Sequence, residues 1–107
     1  MKKSKAPELS EKMFQSRVVA GARALGFMVY HTYDSRRSTK GFPDLCLVHP
    51  KSHQLIFVEI KTDKGRVSPE QAMWINTLVM VPGNVYALIL RPELWEDFWE
   101  RLKRWAK

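Results

Sequence analysis

Two short apolar runs flank a six-residue polar connector: "DLCLV" (44–48), then "HPKSHQ" (49–54), then "LIFVEIK" (55–61). Both runs are apolar and too short for stable helices, the second is rich in β-branched and aromatic residues, and turn-forming residues bound them. This pattern predicts strands. An antiparallel hairpin centred near Lys51-Ser52 pairs Asp44 with Glu59. Opposed residues in such a pair share one side of the sheet, with Cβ atoms roughly 5 Å apart. Lys61 lies two residues beyond Glu59, so strand alternation puts it on that side too. A register slip of one residue would move it to the other face. In this register the hairpin brings two carboxylates and an ammonium together at its open end; the six-residue connector does not by itself fix the register.

The rest of the chain supplies what a half-buried hairpin needs to pack against. "LSEKMFQSRVVAGARALGF" (9–27) reads as a helix, with Ser10 as N-cap, Glu11 in the first turn, and a stop at Gly26. Phe14, Val18, Ala22 and Leu25 form its apolar stripe. "FMVYHTY" (27–33) reads as a strand and "DSRRSTKGFP" (34–43) as a basic loop. After the loop "TDKGRV" (62–67), "SPEQAMWINTLVMV" (68–81) carries a helix start, with Ser68 as N-cap, Pro69 at the first position and Gln71 at the capping-box position. Pro82-Gly83 ends that helix. "NVYALIL" (84–90) is a strand, and a last helix opens at Pro92. The predicted order is α-β-β-β-α-β-α, an α/β sheet flanked by helices. Residues 1–8 read as a basic tail and 9–107 as a single domain.

Charge narrows the function. Lys and Arg number 18 against 11 Asp and Glu, a net +7, which favours a polyanionic partner, nucleic acid before an anionic membrane. Cys46 is the only cysteine. An internal disulfide and a cysteine-based zinc site are thereby excluded, and Cys46 is expected to be a small buried hydrophobe. The start "MKKSK" lacks a following apolar segment, and no run approaches the roughly 20 residues of a membrane span. The expectation is a cytoplasmic protein with no membrane association.

Facing carboxylates repel. Either one takes a proton or the pair acquires a cation. Mg²⁺ is satisfied by one or two carboxylates, keeps several waters and accommodates phosphate oxygens. A lysine beside such an ion orients or deprotonates water, or neutralises charge developing on a phosphoryl group. These are parts for metal-assisted phosphodiester hydrolysis. The plainer alternative is a surface salt bridge of Lys61 with Asp44 or Glu59, worth roughly 0–1 kcal/mol.

Four blocks occur in order: Glu11, "GFPD" (41–44), "EIK" (59–61) and "SPEQ" (68–71). This arrangement resembles the PD-(D/E)xK nucleases, and more closely their virus-type replication-repair nuclease (VRR-NUC) domain. The resemblance implies a restriction-endonuclease-like fold and a Mg²⁺- or Mn²⁺-dependent endonuclease acting on structured DNA. For stand-alone members it implies a homodimer that cuts four-way (Holliday) junctions, with no organic cofactor, in a bacterial or phage-infected cell. A flap or general endonuclease on the same fold, and a catalytically silent nucleic-acid-binding domain, are the rival readings.

The residue expectations follow. Asp44 and Glu59 are metal ligands, the Ile60 carbonyl adds a third oxygen, and Lys61 is the catalytic lysine. Glu11 reaches the metal through water or interacts with its own helix terminus, with Gln15 one turn on. Gln71 touches water or phosphate, or completes the capping box with Ser68. Ser35, Arg36, Arg37 and Lys40 meet DNA phosphates, as do Lys64 and Arg66 on the other side. His31 is structural, and His49 and His53 bracket an exposed turn. Trp95, Phe98, Trp99 and Leu102 form a stripe, with Trp105 at its edge, that packs on the core or in part on a second copy.

Overall fold

The computed structural model describes residues 9–32 and 39–107. The tail expected over 1–8, and the loop residues Ser35, Arg36 and Arg37, lie outside them.

Helix α1 spans Glu11–Ala24. The Ser10 hydroxyl accepts from the Met13 N–H at 3.1 Å, and Gly26 follows the end at φ +93°. Strands β1 (Met28–His31), β2 (Leu45–Val48) and β3 (Leu55–Ile60) come next, then α2 (Pro69–Val79), β4 (Val85–Leu90) and α3 (Trp95–Trp105). The expected α-β-β-β-α-β-α order holds. The sheet runs β1-β2-β3-β4, antiparallel across the first two junctions and parallel between β3 and β4. In β2–β3 Leu45 pairs with Val58 and Val48 with Leu55. Of the registers the connector allows, the one centred on Lys51-Ser52 is the observed one, and its continuation sets Asp44 opposite Glu59.

Alternation splits the sheet into two faces. Leu45, Leu47, Ile56, Val58, Ile60 and Leu90 are buried with Phe14, Val18 and Ala22 of α1 and with Phe98 and Leu102 of α3. Trp95, Trp99 and Trp105 pack against this cluster, so the tryptophan stripe is largely core. On the opposite face Phe57 meets Phe42, and Phe42 meets Trp74 of α2, both edge to face at 6.0 and 5.0 Å. Glu59 belongs to this second face by strand parity. Cys46 does too, and it is half-buried rather than fully buried.

Three further expectations need correction. Helix α2 stops at Val79, two residues early, because the Met80 N–H already turns back to the Thr77 and Leu78 carbonyls. The last α-helix starts at Trp95 rather than at Pro92. Arg91 provides no side-chain cap, so Pro92–Leu94 tightens into a 3-10 turn closed by the Leu94 N–H on the Arg91 carbonyl. His49, expected to be exposed, is 5 % accessible. Its Nε2 lies 3.0 Å from the Leu25 carbonyl, its Nδ1 accepts from the Lys51 and Ser52 N–H groups, and Phe27 packs edge-on against its ring. The imidazole thus ties the β2–β3 connector to the turn after α1. His53 is exposed, as expected.

Candidate active site

Asp44 precedes β2, and the buried ring of Pro43 holds the residue before it in extended backbone. One Asp44 carboxylate oxygen accepts the Ile60 N–H at 2.8 Å, fixing the carboxylate across the hairpin mouth. The hydrogen-bonding group Ile60 offers to Asp44 is therefore its N–H. Glu59, the penultimate residue of β3, is 2 % exposed. Its Oε2 accepts from Gln71 Nε2 at 2.8 Å and lies 3.7 Å from Lys61 Nζ. Its Oε1 is buried with no hydrogen-bond partner.

Gln71 completes the capping box expected of it, and its amide makes a further contact, with Glu59, that was not among the expectations. Its Oε1 accepts the Ser68 N–H, its own N–H donates to the Ser68 hydroxyl, and its Nε2 is left for Glu59. The capping box orients the amide, so α2 starts with a donor aimed at the carboxylate.

The electrostatics match a crowded acidic site. Burial pushes the Glu59 pKa up to about 8, the Asp44 charge pushes the same way, and Lys61 partly offsets both. Burial also raises Asp44, against the pull of the Ile60 N–H and of Lys61. Glu11 is raised by burial and then by Asp44, with Lys61 opposing. Glu11 therefore feels the same two charges as Glu59, although its side chain belongs to the start of α1.

Whether these residues suit a divalent ion can be asked of the geometry. Among the described residues no group of three or more His, Cys, Asp or Glu side chains forms a ready-made metal cage. A Mg²⁺-like ion needs no such cage, only one or two carboxylates plus water. Asp44 and Glu59 supply hard oxygen donors, and the orphaned Glu59 Oε1 is an acceptor awaiting a cation or a proton. The donor set fits.

Of the expected phosphate-contacting residues, Lys40 is exposed and lies 3.7 Å from Glu70 on the first turn of α2. Lys64 and Arg66 are exposed on the loop after Lys61. Gly41 was read only as part of a motif, and its physical demand is sharper. Its φ is +86°, and a Cβ there would lie 2.6 Å from the Glu70 backbone carbon. The Gly41–Phe42 turn thus seats directly on the start of α2, joining the Asp44 segment to the Gln71 helix. A glycine before x-Pro-Asp was the signal, but its contact partner was not readable from it.

A mixed sheet with helices on both faces, carrying a buried glutamate, a half-buried aspartate and a lysine at the mouth of a hairpin, defines the restriction-endonuclease-like class. Residues 2–89 match the VRR-NUC domain, and the chain belongs to that family. It is also 42% identical over 48 residues to a Fanconi-associated nuclease 1 homolog of Schizosaccharomyces pombe. That match covers 45% of this chain and 7% of the relative's length. No solved structure is significantly similar to the chain. No helix among the described residues is long and apolar enough to cross a membrane.

Proposed function

We propose that the chain is a divalent-metal-dependent, structure-selective DNA endonuclease, acting as a homodimer on four-way junctions, with residues 9–107 as its nuclease domain and the cytoplasm of a bacterial or phage-infected cell as its setting. The observation that carries this reading is the buried Glu59 carboxylate, held by Gln71 and Lys61 beside Asp44 with one oxygen unsatisfied. A structural salt bridge gains nothing from such burial, since desolvation costs more than one exposed pair returns.

Asp44 and Glu59 would hold the ion, with the Ile60 carbonyl and, through water, Glu11 as further oxygen donors. Bound there, Mg²⁺ or Mn²⁺ supplies Lewis acidity toward a phosphodiester oxygen and the attacking water. Gln71 keeps Glu59 turned toward the site. The ammonium of Lys61, whose side chain is only 12% exposed, orients the water and neutralises charge that builds on the phosphoryl oxygens as one P–O bond forms and the opposite one breaks. Lys40, Lys64 and Arg66, with Ser35, Arg36 and Arg37, take the flanking phosphates.

The test is cleavage of labelled four-way, forked, duplex and single-stranded DNA with Mg²⁺, Mn²⁺ or EDTA, beside Asp44→Ala. Paired cuts across the junction, lost in EDTA and in the variant, are expected. Cuts confined to forks or plain duplex would replace junction selectivity with the flap or general-endonuclease reading. Binding without any cutting would favour a silent binding domain.

Salt dependence checks the phosphate contacts. Log affinity should fall with log salt by about 0.9 for each phosphate neutralised. A flat response in a binding titration would remove the nucleic-acid reading.

A pH series checks the acidic pair. The folded state holds the Glu59 proton up to about pH 8, whereas the unfolded chain releases it near its ordinary value of 4.5. The folded state therefore binds more protons across that window, and metal-free stability should fall as pH rises through it. The raised Asp44 and Glu11 act in the same direction. A cation favours the ionised pair, so Mg²⁺ or Mn²⁺ should raise the melting temperature more at pH 8 than at pH 5. An equal metal effect at both values would count against Glu59 as a ligand.

A further inference from the structure

Arg91 follows the last residue of β4 and lies beyond the span matched by the family. Its Nη1 donates to the Thr62 carbonyl at 2.6 Å and the Gly65 carbonyl at 2.9 Å, with the Asp63 carbonyl at 3.4 Å. All three belong to the loop that leaves Lys61. The Gly65 N–H also closes on the Thr62 carbonyl at 3.2 Å, so the loop is a tight turn gathered around one guanidinium nitrogen.

That turn folds back over the lysine. A Cβ at Gly65 would lie 3.3 Å from Lys61 Cδ and 3.2 Å from Thr62 Oγ1. Gly65 therefore rests on the aliphatic stem of Lys61. The Lys61 backbone is held from the same strand end, its N–H donating to the Leu90 carbonyl at 3.0 Å. Leu90 and Arg91 thus grip Lys61 at its backbone and, through the loop, at its stem, while its ammonium points to Glu59.

We propose that Arg91 is a positioning residue for Lys61, bracing the 62–65 turn so that the ammonium stays against Glu59; this rests on the role assigned to Lys61 above. The side chain suits the task. A guanidinium stays charged and presents a planar fork of donors, which suits converging carbonyls. A lysine stem carries about 2 kcal/mol of rotamer entropy, so an unbraced ammonium spreads over many positions. Misplacement of a reacting group by about 1 Å can cost roughly 10²-fold in rate.

The experiment uses the full chain with Arg91→Ala and Arg91→Lys. It reads kcat and KM on the four-way junction with Mg²⁺, and amide hydrogen exchange across 62–66. Arg91→Ala should lower kcat by about 10²-fold with KM little changed, and should speed exchange at Gly65. Added guanidinium should restore part of the rate. Arg91→Lys, whose ammonium has three donors, should fall between the two; it carries the same comparison if Arg91→Ala does not fold. In a Lys61→Ala background Arg91→Ala should cause no further loss, because the two act as one unit. An unchanged kcat, an equal loss in that background, or a change confined to KM would each overturn the proposal. Were the unmutated chain to cleave nothing, the nuclease reading would fail separately. Gly65 exchange would still decide the brace: faster in Arg91→Ala supports it, unchanged exchange overturns it.

Discussion

Lys61→Ala is expected to lower junction cleavage by about 10²–10³-fold, the usual loss when one preorganised charge is removed from a transition state. The fold should survive. The strand ladder at this point is carried by backbone, with the Lys61 N–H on the Leu90 carbonyl, and any side chain keeps it. Removing the ammonium takes away a charge that lowers the Glu59 pKa, so Glu59 simply holds its proton more tightly. Glu59 is therefore not left as an unpaired buried charge at neutral pH, and Asp44 keeps the Ile60 N–H, so the melting temperature should change little. Junction binding should persist too, since the exposed cations of the flanking loops are untouched. Single-turnover cleavage beside a binding titration and a thermal melt separates these effects. Full activity in the variant would refute the role given to Lys61. Loss of activity together with collapse of the melt would make the lysine structural instead.

Gly41→Ala is expected to be the most damaging single methyl in the chain, lowering the melting temperature by roughly 12–24 °C. Two costs combine. The residue sits at φ +86°, where a side chain costs roughly 1–2 kcal/mol. The new Cβ also meets the Glu70 carbon and Cβ at 2.6 Å and the Glu70 oxygen at 2.8 Å. Two of these contacts are backbone, so a rotamer change cannot relieve them, and such overpacking costs roughly 1–3 kcal/mol. A total near 3 kcal/mol converts at roughly 4–8 °C per kcal/mol for a chain of about this size. The displaced turn lies between Asp44 and the helix carrying Gln71, so cleavage should fall further than stability alone requires. Gly83→Ala is the control: its φ is also positive, at +96°, but nothing lies within 4 Å of an added Cβ. Only the conformational cost should appear there. Equal losses at the two glycines, in parallel thermal melts, would mean that the contact with Glu70 is not what Gly41 serves.

Much of this architecture is local and was legible in the chain. Ser10 and Ser68 cap the helices they were read to cap, because an N-cap acts over three residues. The hairpin register centred on Lys51-Ser52 was one the sequence offered but did not fix, because a six-residue connector allows a slip of one; the β2–β3 ladder selects it. The convergence of Asp44, Glu59 and Lys61 follows from that register alone. What was misread depended on distant partners. His49 looked like a turn residue until Leu25 and Phe27, from another part of the chain, closed over it. The helix after Pro92 looked continuous because helical periodicity does not reveal the missing cap at Arg91.

The sequence by itself determined which side chains share a strand face and where the helices begin, since those depend on periods of two to four residues. The tertiary structure alone decided that Glu59 is buried with a raised pKa, that Gly41 rests on Glu70, and that Arg91 reaches the turn after Lys61. Each of these depends on α2 and β4 closing over the hairpin. Burial and desolvation are properties of the packed whole, and no stretch of sequence holds them before its distant neighbours arrive.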